Sequence, residues 1–145
     1  MADPRVFEHA IHVRMSSIDR AGVLFYPELF RHAHDAYEAL MASLDEGLAA
    51  YFEPGRPAIP IVHAEADYQR PMRHGNEFRV HLSVAQLGDS SMTLAYEFLG
   101  DDGKSCARAQ TVHVFIDLDK GRPVPIPAEL RAKLQRYTGS LSDLG

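Results

Sequence analysis

Hydrophobic and polar residues alternate along five stretches of the chain, and alternation of this kind predicts β-strands. The stretches cover residues 7–15, 61–69, 78–87, 91–100 and 104–118. The segments HGN, GDS and DDGK separate the last four stretches, and their composition is typical of tight turns. In the first stretch, one side of the predicted strand carries Phe7, His9, Ile11 and Val13. The pattern therefore predicts one strand that stands alone, followed later by four strands in an antiparallel series.

A different period, with apolar residues every three or four positions, predicts a long helix over residues 27–44. Its first residue is Pro27, which suits a helix start because that position donates no helical hydrogen bond. A shorter helix is predicted over residues 128–137, with Leu130 and Leu134 on one face. The proline-rich segments 53–60 and 120–127 are predicted to be extended connections.

This order of elements predicts an α+β fold in which the long helix covers the apolar face of an antiparallel sheet. A sheet curled around one helix is small, so we expect a second copy of the chain to cover its remaining surfaces. The chain has 145 residues without an internal repeat or a low-complexity tract, which predicts a single domain over residues 1–145.

Composition and charge exclude several classes of protein. Fifteen Lys and Arg against 20 Asp and Glu give a net charge of −5, so the chain lacks the basic character of a nucleic-acid-binding protein. The apolar share of 46% and the charged share of 24% are those of a globular protein rather than a disordered one. Residues 1–10 resemble neither a signal peptide nor a membrane span, and we expect a cytoplasmic protein.

Familiar motifs of metal, nucleophile and nucleotide chemistry are missing from the sequence. The eight histidines show no metal-binding spacing such as H-E-x-x-H, and a single cysteine, Cys106, excludes a paired-cysteine zinc site. Neither a G-x-S-x-G elbow nor a glycine-rich phosphate loop occurs. We therefore predict no metal and no cofactor, and we interpret Cys106 as a small core residue.

The segment IDRAGVLFYP, residues 18–27, carries the strongest chemical signal. Its carboxylate, Asp19, lies in a loop shortly before the long helix. The free N–H groups of a helix start are able to stabilise the oxyanion that forms when a carbonyl is attacked, and a nearby carboxylate is able to attack or to activate water. An aspartate in such a loop is otherwise a cap or turn residue, but Asp19 lies too far before Pro27 to be a simple N-cap.

The loop DRAGVLFYP resembles the D-x-A-G-V-x-Y/F motif of hotdog-fold enzymes of the 4-hydroxybenzoyl-CoA thioesterase type. The segments HDAYEALMAS, PIVHAEADYQRPMRHGN and TVHVFIDLDKGRPVPIP resemble the 1,4-dihydroxy-2-naphthoyl-CoA thioesterases of quinone biosynthesis. Together these segments cover nearly the whole chain. The resemblance implies a hotdog fold, an antiparallel sheet wrapped around one long helix, and the hydrolysis of an aromatic, hydroxylated acyl-CoA without a cofactor.

The resemblance also assigns roles to residues of the loop. Asp19 matches the catalytic carboxylate of the family, and Tyr26 stands where a backbone N–H holds the thioester carbonyl. Phe25 is assigned to substrate binding. Many family members carry an acidic residue and a threonine or cysteine before the aspartate, where this chain has serine and isoleucine. Arg20 replaces the commoner alanine or proline, and it is able to stabilise the charge of Asp19 or to bind CoA.

Three further residues are predicted to bind substrate. His34 and Glu38 lie one turn apart on the long helix, so the carboxylate is able to orient the imidazole, which the resemblance places near the acyl pocket. The alternative for this pair is a solvated helix surface. His63 falls on the opposite strand face from Val62 and Ala64, and either a pocket role or simple exposure fits it.

Phosphate groups of CoA need basic residues at the mouth of the pocket, and the candidates are Arg70, Arg73, Lys104 and Arg108. The sequence thus predicts an aromatic acyl-CoA thioesterase that forms a homodimer or homotetramer, with the active site at the subunit interface. The alternatives are a thioesterase for 4-hydroxybenzoyl-CoA or fatty acyl-CoA and a non-catalytic acyl-CoA-binding module on the same fold. A hydratase is a third possibility, whose usual Asp and His pattern is missing.

Overall fold

The computed structural model of the chain describes residues 3–44 and 47–138. Its main strands are β1 (Phe7–His12), β2 (Ile61–Tyr68), β3 (Glu77–Leu87), β4 (Ser91–Leu99) and β5 (Ser105–Val114). They form one antiparallel sheet in the order β1-β3-β4-β5-β2. Helix α1 (Glu28–Leu44) joins β1 to β2, and helix α2 (Ala128–Leu134) follows the strands. The predicted α+β fold, an antiparallel sheet with a long helix after the first strand, is confirmed.

The strand register places one apolar face of the sheet inward. Leu82 of β3 pairs with Tyr96 of β4, and Tyr96 pairs with Ala109 of β5, so these side chains share the inner face. Helix α1 packs into the same core, because its buried residues recur every three or four positions. They are Leu29, Ala33, Ala36, Tyr37, Leu40, Met41 and Leu44. Cys106 is also buried in this core, as predicted.

The two edges of the sheet differ in how they are covered. The edge strand β2 is exposed along nearly its whole length, and Ile61, Val62 and Tyr68 are large apolar or aromatic side chains on it that remain accessible. The opposite edge strand, β1, is shorter and includes the buried Ile11. Such an exposed edge is a template for pairing with another strand.

The structure departs from the predicted elements at the end of β1 and after α1. The strand predicted over residues 7–15 ends at His12, because the chain turns into a 3-10 helix at Met15–Ser17, where the Ser17 N–H bonds to the carbonyl of Arg14 at 3.0 Å. The extended segment predicted after α1 is preceded by a second 3-10 helix, Leu48–Phe52, which the sequence pattern did not indicate.

The strand predicted over residues 104–118 is wrong in its last part. Its main body ends at Val114, and a short hairpin follows, formed by β6 (Ile116–Asp117) and β7 (Arg122–Pro123). The break occurs because the N–H of Ile116 bonds to the carbonyl of Ala58, 2.9 Å away, in the connection before β2. The terminal helix likewise ends earlier than predicted, and Gln135–Tyr137 form a 3-10 turn. Within the described ranges, no helix has the length and apolar character needed to cross a membrane.

Candidate functional site

The loop that carries Asp19 is a tight, hydrogen-bonded turn. The N–H of Asp19 bonds to the carbonyl of Val23 at 2.9 Å, and the N–H of Gly22 bonds back to the carbonyl of Asp19 at 3.1 Å. Gly22 has a φ of +80°, which an L-residue with a side chain rarely adopts. The glycine of the DRAG segment is therefore what allows this turn to close.

The carboxylate of Asp19 takes part in the same turn through one of its oxygens. Its Oδ1 accepts a hydrogen bond from the N–H of Ala21 at 2.8 Å and a longer one from Val23 at 3.4 Å. Within residues 3–44 and 47–138, Oδ2 has no hydrogen-bond partner, and Arg20 forms no ion pair with the carboxylate. Asp19 is thus both a turn residue and an exposed carboxylate with one oxygen available for chemistry.

Neighbouring segments hold the Asp19 loop in place. The carbonyl of Gly22 accepts a hydrogen bond from His74 at 3.0 Å, and the N–H of Leu24 bonds to Met72 at 2.7 Å. On the other side, the N–H of Phe25 bonds to the carbonyl of Ser17 at 2.8 Å. Backbone bonds on two sides make the loop a fixed part of the structure rather than a free connection.

The backbone at the start of α1 leaves one N–H group free. Glu28 bonds to the carbonyl of Phe25 at 2.8 Å, and Leu29 bonds to that of Tyr26 at 3.4 Å, so these N–H groups are already used. Pro27 has no N–H. In the described part of the chain, the N–H of Tyr26 has no partner. It is therefore available as a donor at the positive end of the helix.

The end of β2 is fastened to this helix start. The hydroxyl of Tyr68 donates a hydrogen bond to the backbone carbonyl of Tyr26. Burial raises the pKa of Tyr68, which keeps its hydroxyl protonated as a donor. The side chain of Tyr26 is itself 66% exposed, and Phe25 and Met15 are also exposed beside the loop. The region thus combines an accessible aromatic surface with the carboxylate and the free N–H.

A cleft of about 880 Å³ lies along α1, and we refer to it as the α1 cleft. One wall is His34 and Tyr37 of α1, and the others come from the segment 48–60 and the hairpin of β6 and β7. Two large apolar side chains at the cleft, Phe52 and Leu118, are 90% and 71% exposed. An apolar cleft with a few polar groups is the usual form of a small-molecule site.

A buried polar cluster lies behind the wall of the α1 cleft. His113 of β5 is fully buried, and its ring centroid is 4.4 Å from that of Tyr37. Its Nε2 is 2.7 Å from the hydroxyl of Thr111, which is in turn 2.8 Å from the hydroxyl of Tyr96. Burial lowers the pKa of His113 to about 4, so its imidazole is neutral at pH 7.

A family model described as the thioesterase-like superfamily matches residues 13–134 of the chain. The chain belongs to this superfamily. It is 35% identical over 124 residues to the 1,4-dihydroxy-2-naphthoyl-CoA hydrolase of Synechococcus elongatus, covering 85% of this chain and 90% of that protein. It is 39% identical over 106 residues to the enzyme of the same name from Trichodesmium erythraeum, covering 72% and 77% of the two chains.

Solved structures agree with this membership. The crystal structure of a 1,4-dihydroxy-2-naphthoyl-CoA thioesterase from Synechocystis superposes with a TM-score of 0.85 at 28% identity, covering 90% of this chain and 96% of that one. The resemblance to thioesterases inferred from the sequence motifs is confirmed, and so is the prediction that the chain is a thioester hydrolase.

The structure brings together only some of the residues that the sequence predicts for the site. Asp19, Phe25 and Tyr26 lie together at the loop and helix start, and His34 lines the α1 cleft. Glu38 is exposed on α1, and no hydrogen bond or ion pair joins it to His34 within the described residues. The ring of His34 instead packs edge-on against Tyr37, with a centroid distance of 5.6 Å.

His63 lies apart from both regions within one chain. It pairs in the sheet with Val112, so its side chain is on the outer face, 3.9 Å from the carboxylate of Glu65. This is the strand face that the alternation predicted for it. The role of His63 in substrate binding stays a prediction.

The four basic residues predicted for CoA are placed differently from one another. Arg70 forms two hydrogen bonds to Asp102, at 3.0 and 3.1 Å, and Lys104 lies in the same turn. Arg108 pairs with Glu97 at 3.0 Å on the outer face of the sheet. Arg73 is exposed, and its backbone pairs with Val23 of the Asp19 loop. Of the four, Arg73 is the one that the structure places against the Asp19 loop.

Sequence reasoning missed Tyr37 and His113 as residues of functional interest. Tyr37 fits the apolar period of the helix, so the sequence alone does not distinguish it from an ordinary core position. A signal for His113 existed, because Thr111 and His113 alternate in phase with the inward-facing Ala109, which places two polar residues on the buried strand face. Buried polar side chains in that position require an explanation.

Proposed function

We propose that the chain hydrolyses aromatic, hydroxylated acyl-CoA thioesters, such as 1,4-dihydroxy-2-naphthoyl-CoA, to the free acid and CoA. The observation that supports this most directly is the arrangement of the Asp19 carboxylate in a fixed turn just before a helix start whose Tyr26 N–H is free. The names of relatives up to 39% identical support the choice of acyl group.

Asp19 supplies the carboxylate for the reaction. Its Oδ2 either attacks the thioester carbonyl, forming a mixed anhydride that water then hydrolyses, or removes a proton from a water that attacks. In both routes the C–S bond breaks and CoA leaves as a thiolate that takes up a proton. The hydrogen bond from Ala21 to Oδ1 fixes the orientation of the carboxylate and leaves the other oxygen to react.

The N–H of Tyr26 stabilises the oxyanion that develops on the thioester oxygen. It is a preorganised donor at the N-terminal end of α1, where the helix dipole also favours negative charge. Loss of one such donor typically costs roughly 3 to 4 kcal/mol of transition-state stabilisation. No metal or cofactor takes part in this scheme.

Two copies of the chain pair through their β2 edges. Nearly all residues of β2 are exposed, including the side chains of Ile61, Val62 and Tyr68, and Tyr68 contacts the exposed Tyr26. Pairing of the two edge strands would cover the free backbone groups and these side chains together. Each copy is a single-domain hotdog subunit, in which the sheet wraps around α1.

This pairing completes the active site. Around a two-fold axis at the centre of β2, the Tyr68 end of one strand lies beside the Ile61 end of the other. Tyr68 is bonded to Tyr26 near the Asp19 loop, and Pro60, next to Ile61, lines the α1 cleft. The carboxylate of one copy therefore faces the cleft of the other, where the acyl group binds.

The test is the release of CoA from a panel of thioesters by the wild type and by Asp19→Asn. The panel contains 1,4-dihydroxy-2-naphthoyl-CoA, 4-hydroxybenzoyl-CoA, benzoyl-CoA and a medium-chain acyl-CoA. Loss of the carboxylate is expected to lower kcat roughly 100-fold or more on the aryl substrates. Asp101→Asn, an exposed aspartate in the turn between β4 and β5, is the matched control and is expected to retain full activity.

Other outcomes favour the alternatives named above. Preference for 4-hydroxybenzoyl-CoA or for the medium-chain substrate would change the acyl group and leave the chemistry intact. Thermal stabilisation by acyl-CoA without release of CoA would indicate a non-catalytic binding module. The cytoplasmic location stays a prediction.

The pairing has its own test, which is the molar mass in solution by light scattering. Val62→Glu places a charge on the exposed edge of β2 and is expected to shift the dimer toward the monomer and to lower activity with it. Ala10→Glu, on the exposed side of the opposite edge strand, is the control and is expected to remain dimeric. A monomeric wild type would overturn this part of the proposal.

A further inference from the structure

Tyr37 is an unusual residue for the wall of an apolar cleft. It is only 2% exposed, and its hydroxyl has no hydrogen-bond partner among the residues that the structure describes. Burial raises the pKa of Tyr37 far above its usual range, so the phenol stays protonated and is able both to donate and to accept a hydrogen bond. A buried hydroxyl without a partner destabilises the fold, because it loses its hydrogen bonds to water.

Two histidines pack against the Tyr37 ring. His113 packs against one side at a centroid distance of 4.4 Å, and His34 packs edge-on at 5.6 Å. His113 is itself fixed by its contact with Thr111, and its Nδ1 is a second buried atom without a partner in the described ranges. Buried polar groups thus lie behind one part of the otherwise largely apolar cleft lining.

We propose that Tyr37 is a specificity-determining residue, whose hydroxyl pairs with a hydroxyl group on the ring of the bound acyl moiety. The inference rests on the proposed function, because it takes the α1 cleft as the acyl site. Tyr37 lines the α1 cleft, but its hydroxyl is enclosed, so pairing with a ring hydroxyl requires the side chain to turn toward the cleft when the acyl group binds.

The physical basis is the cost of leaving this hydroxyl unpaired. An acyl group with a ring hydroxyl supplies the missing partner, whereas the same ring without it leaves Tyr37 unsatisfied inside the complex. A site that hydrogen-bonds a substrate hydroxyl therefore rejects the analogue that lacks it, while an apolar cleft alone discriminates weakly. His113 acts as a positioning residue through its contact with the Tyr37 ring.

The experiment compares matched substrates rather than absolute rates. The kcat/KM ratio of 4-hydroxybenzoyl-CoA to benzoyl-CoA is measured for the wild type and for Tyr37→Phe. Removal of the hydroxyl is expected to lower this ratio roughly 3- to 10-fold, the effect of one neutral hydrogen bond, with little change for benzoyl-CoA. An unchanged ratio, or an equal fall for both substrates, would overturn the inference.

The control variant is Tyr137→Phe. Tyr137 is also a buried tyrosine, but it packs against Phe7 of β1 and does not line the α1 cleft. Its substitution is expected to leave the substrate ratio unchanged. Tyr37→Phe is expected to melt no lower than the wild type, because it removes an unpaired hydroxyl, and this melting temperature separates specificity from misfolding.

Failure of the Tyr37 inference and failure of the proposed hydrolysis give different results. A wild type that releases no CoA from any substrate refutes the proposed hydrolysis but leaves Tyr37 open to a binding test with the free acids. In that case 4-hydroxybenzoate is expected to bind more tightly than benzoate to the wild type, and equally to Tyr37→Phe. Equal binding of the two acids to the wild type would overturn the role of Tyr37 itself.

Discussion

The hydroxyl of Tyr68, at the end of the exposed edge strand β2, donates a hydrogen bond to the backbone carbonyl of Tyr26 at the start of α1. This single contact joins the proposed dimer edge to the proposed oxyanion donor. The carbonyl and the free N–H of Tyr26 belong to successive peptide units of one residue, so Tyr68, 42 positions further along the chain, holds the residue that carries the free N–H.

Removal of this contact tests whether it positions the helix start. Tyr68→Phe keeps the ring but loses the hydroxyl, so the Tyr26 backbone is less firmly held. We expect kcat to fall roughly 3- to 10-fold with KM nearly unchanged, because the oxyanion donor acts mainly in the transition state. Steady-state kinetics of CoA release measures both constants, and light scattering checks that the variant keeps the molar mass of the wild type. A rise in KM alone would argue against a positioning role.

The conformation of Gly22 leads to a second prediction. Its φ is +80°, but a Cβ added there would meet no atom within 4 Å, so a substitution strains only the backbone. Gly22→Ala is expected to lower the unfolding free energy by roughly 1 kcal/mol and to reduce kcat. Asparagine tolerates this backbone region better than alanine does, so Gly22→Asn should retain more of both.

Gly103 offers a matched control for this prediction. It has a φ of +76° in the turn between β4 and β5, and an added Cβ there would also meet no atom within 4 Å. Gly103→Ala should therefore cost similar stability in urea unfolding without loss of activity. Equal losses of activity in the two variants would show that the Gly22 effect is only one of stability.

The sequence pattern predicted the sheet and the long helix because both depend on short-range periods. Buried residues recur every second position along β4 and every three or four along α1, and these periods are readable from local sequence. The hairpin of β6 and β7 was not predicted, since it depends on a long-range bond between Ala58 and Ile116. Only the fold brings those two segments together.

The sequence predicts one part of the candidate site better than the other. Asp19 and Tyr26 belong to one continuous motif, so the sequence places them near each other. Tyr37 and His113 lie on separate elements, and their contact depends on how α1 packs against the sheet. A tyrosine in a helical period looks like any apolar residue, and its unpaired hydroxyl is visible only in the folded chain.

The buried His113 makes stability depend on pH. Burial lowers its pKa to about 4 in the folded chain, below the ordinary value of 6.5, and the neighbouring His34 adds to this shift. Between these two values the unfolded chain takes up a proton that the folded chain does not. Stability is therefore full above about pH 6.5 and falls toward pH 4, by roughly 3 kcal/mol from this group.

Urea unfolding at several pH values between 4 and 7 checks this expectation. His113→Gln removes the titrating group, so its stability should change less over this range than that of the wild type. His12→Gln, at an exposed histidine without an ion pair among the described residues, is the control and should keep the wild-type slope. Equal slopes for all three proteins would contradict the prediction.

Of the four basic residues predicted to bind CoA, Arg73 is the one whose backbone pairs with Val23 of the Asp19 loop. Arg73→Ala is expected to raise KM for acyl-CoA severalfold with little change in kcat, as a charge that binds a phosphate contributes equally to ground and transition states. The effect should shrink at high salt, because an exposed charge pair is screened. Arg79→Ala, on β3 beside Glu8, provides the control and should leave KM unchanged. If KM responds equally to both substitutions, the interaction is a general effect of charge rather than a phosphate contact at the loop.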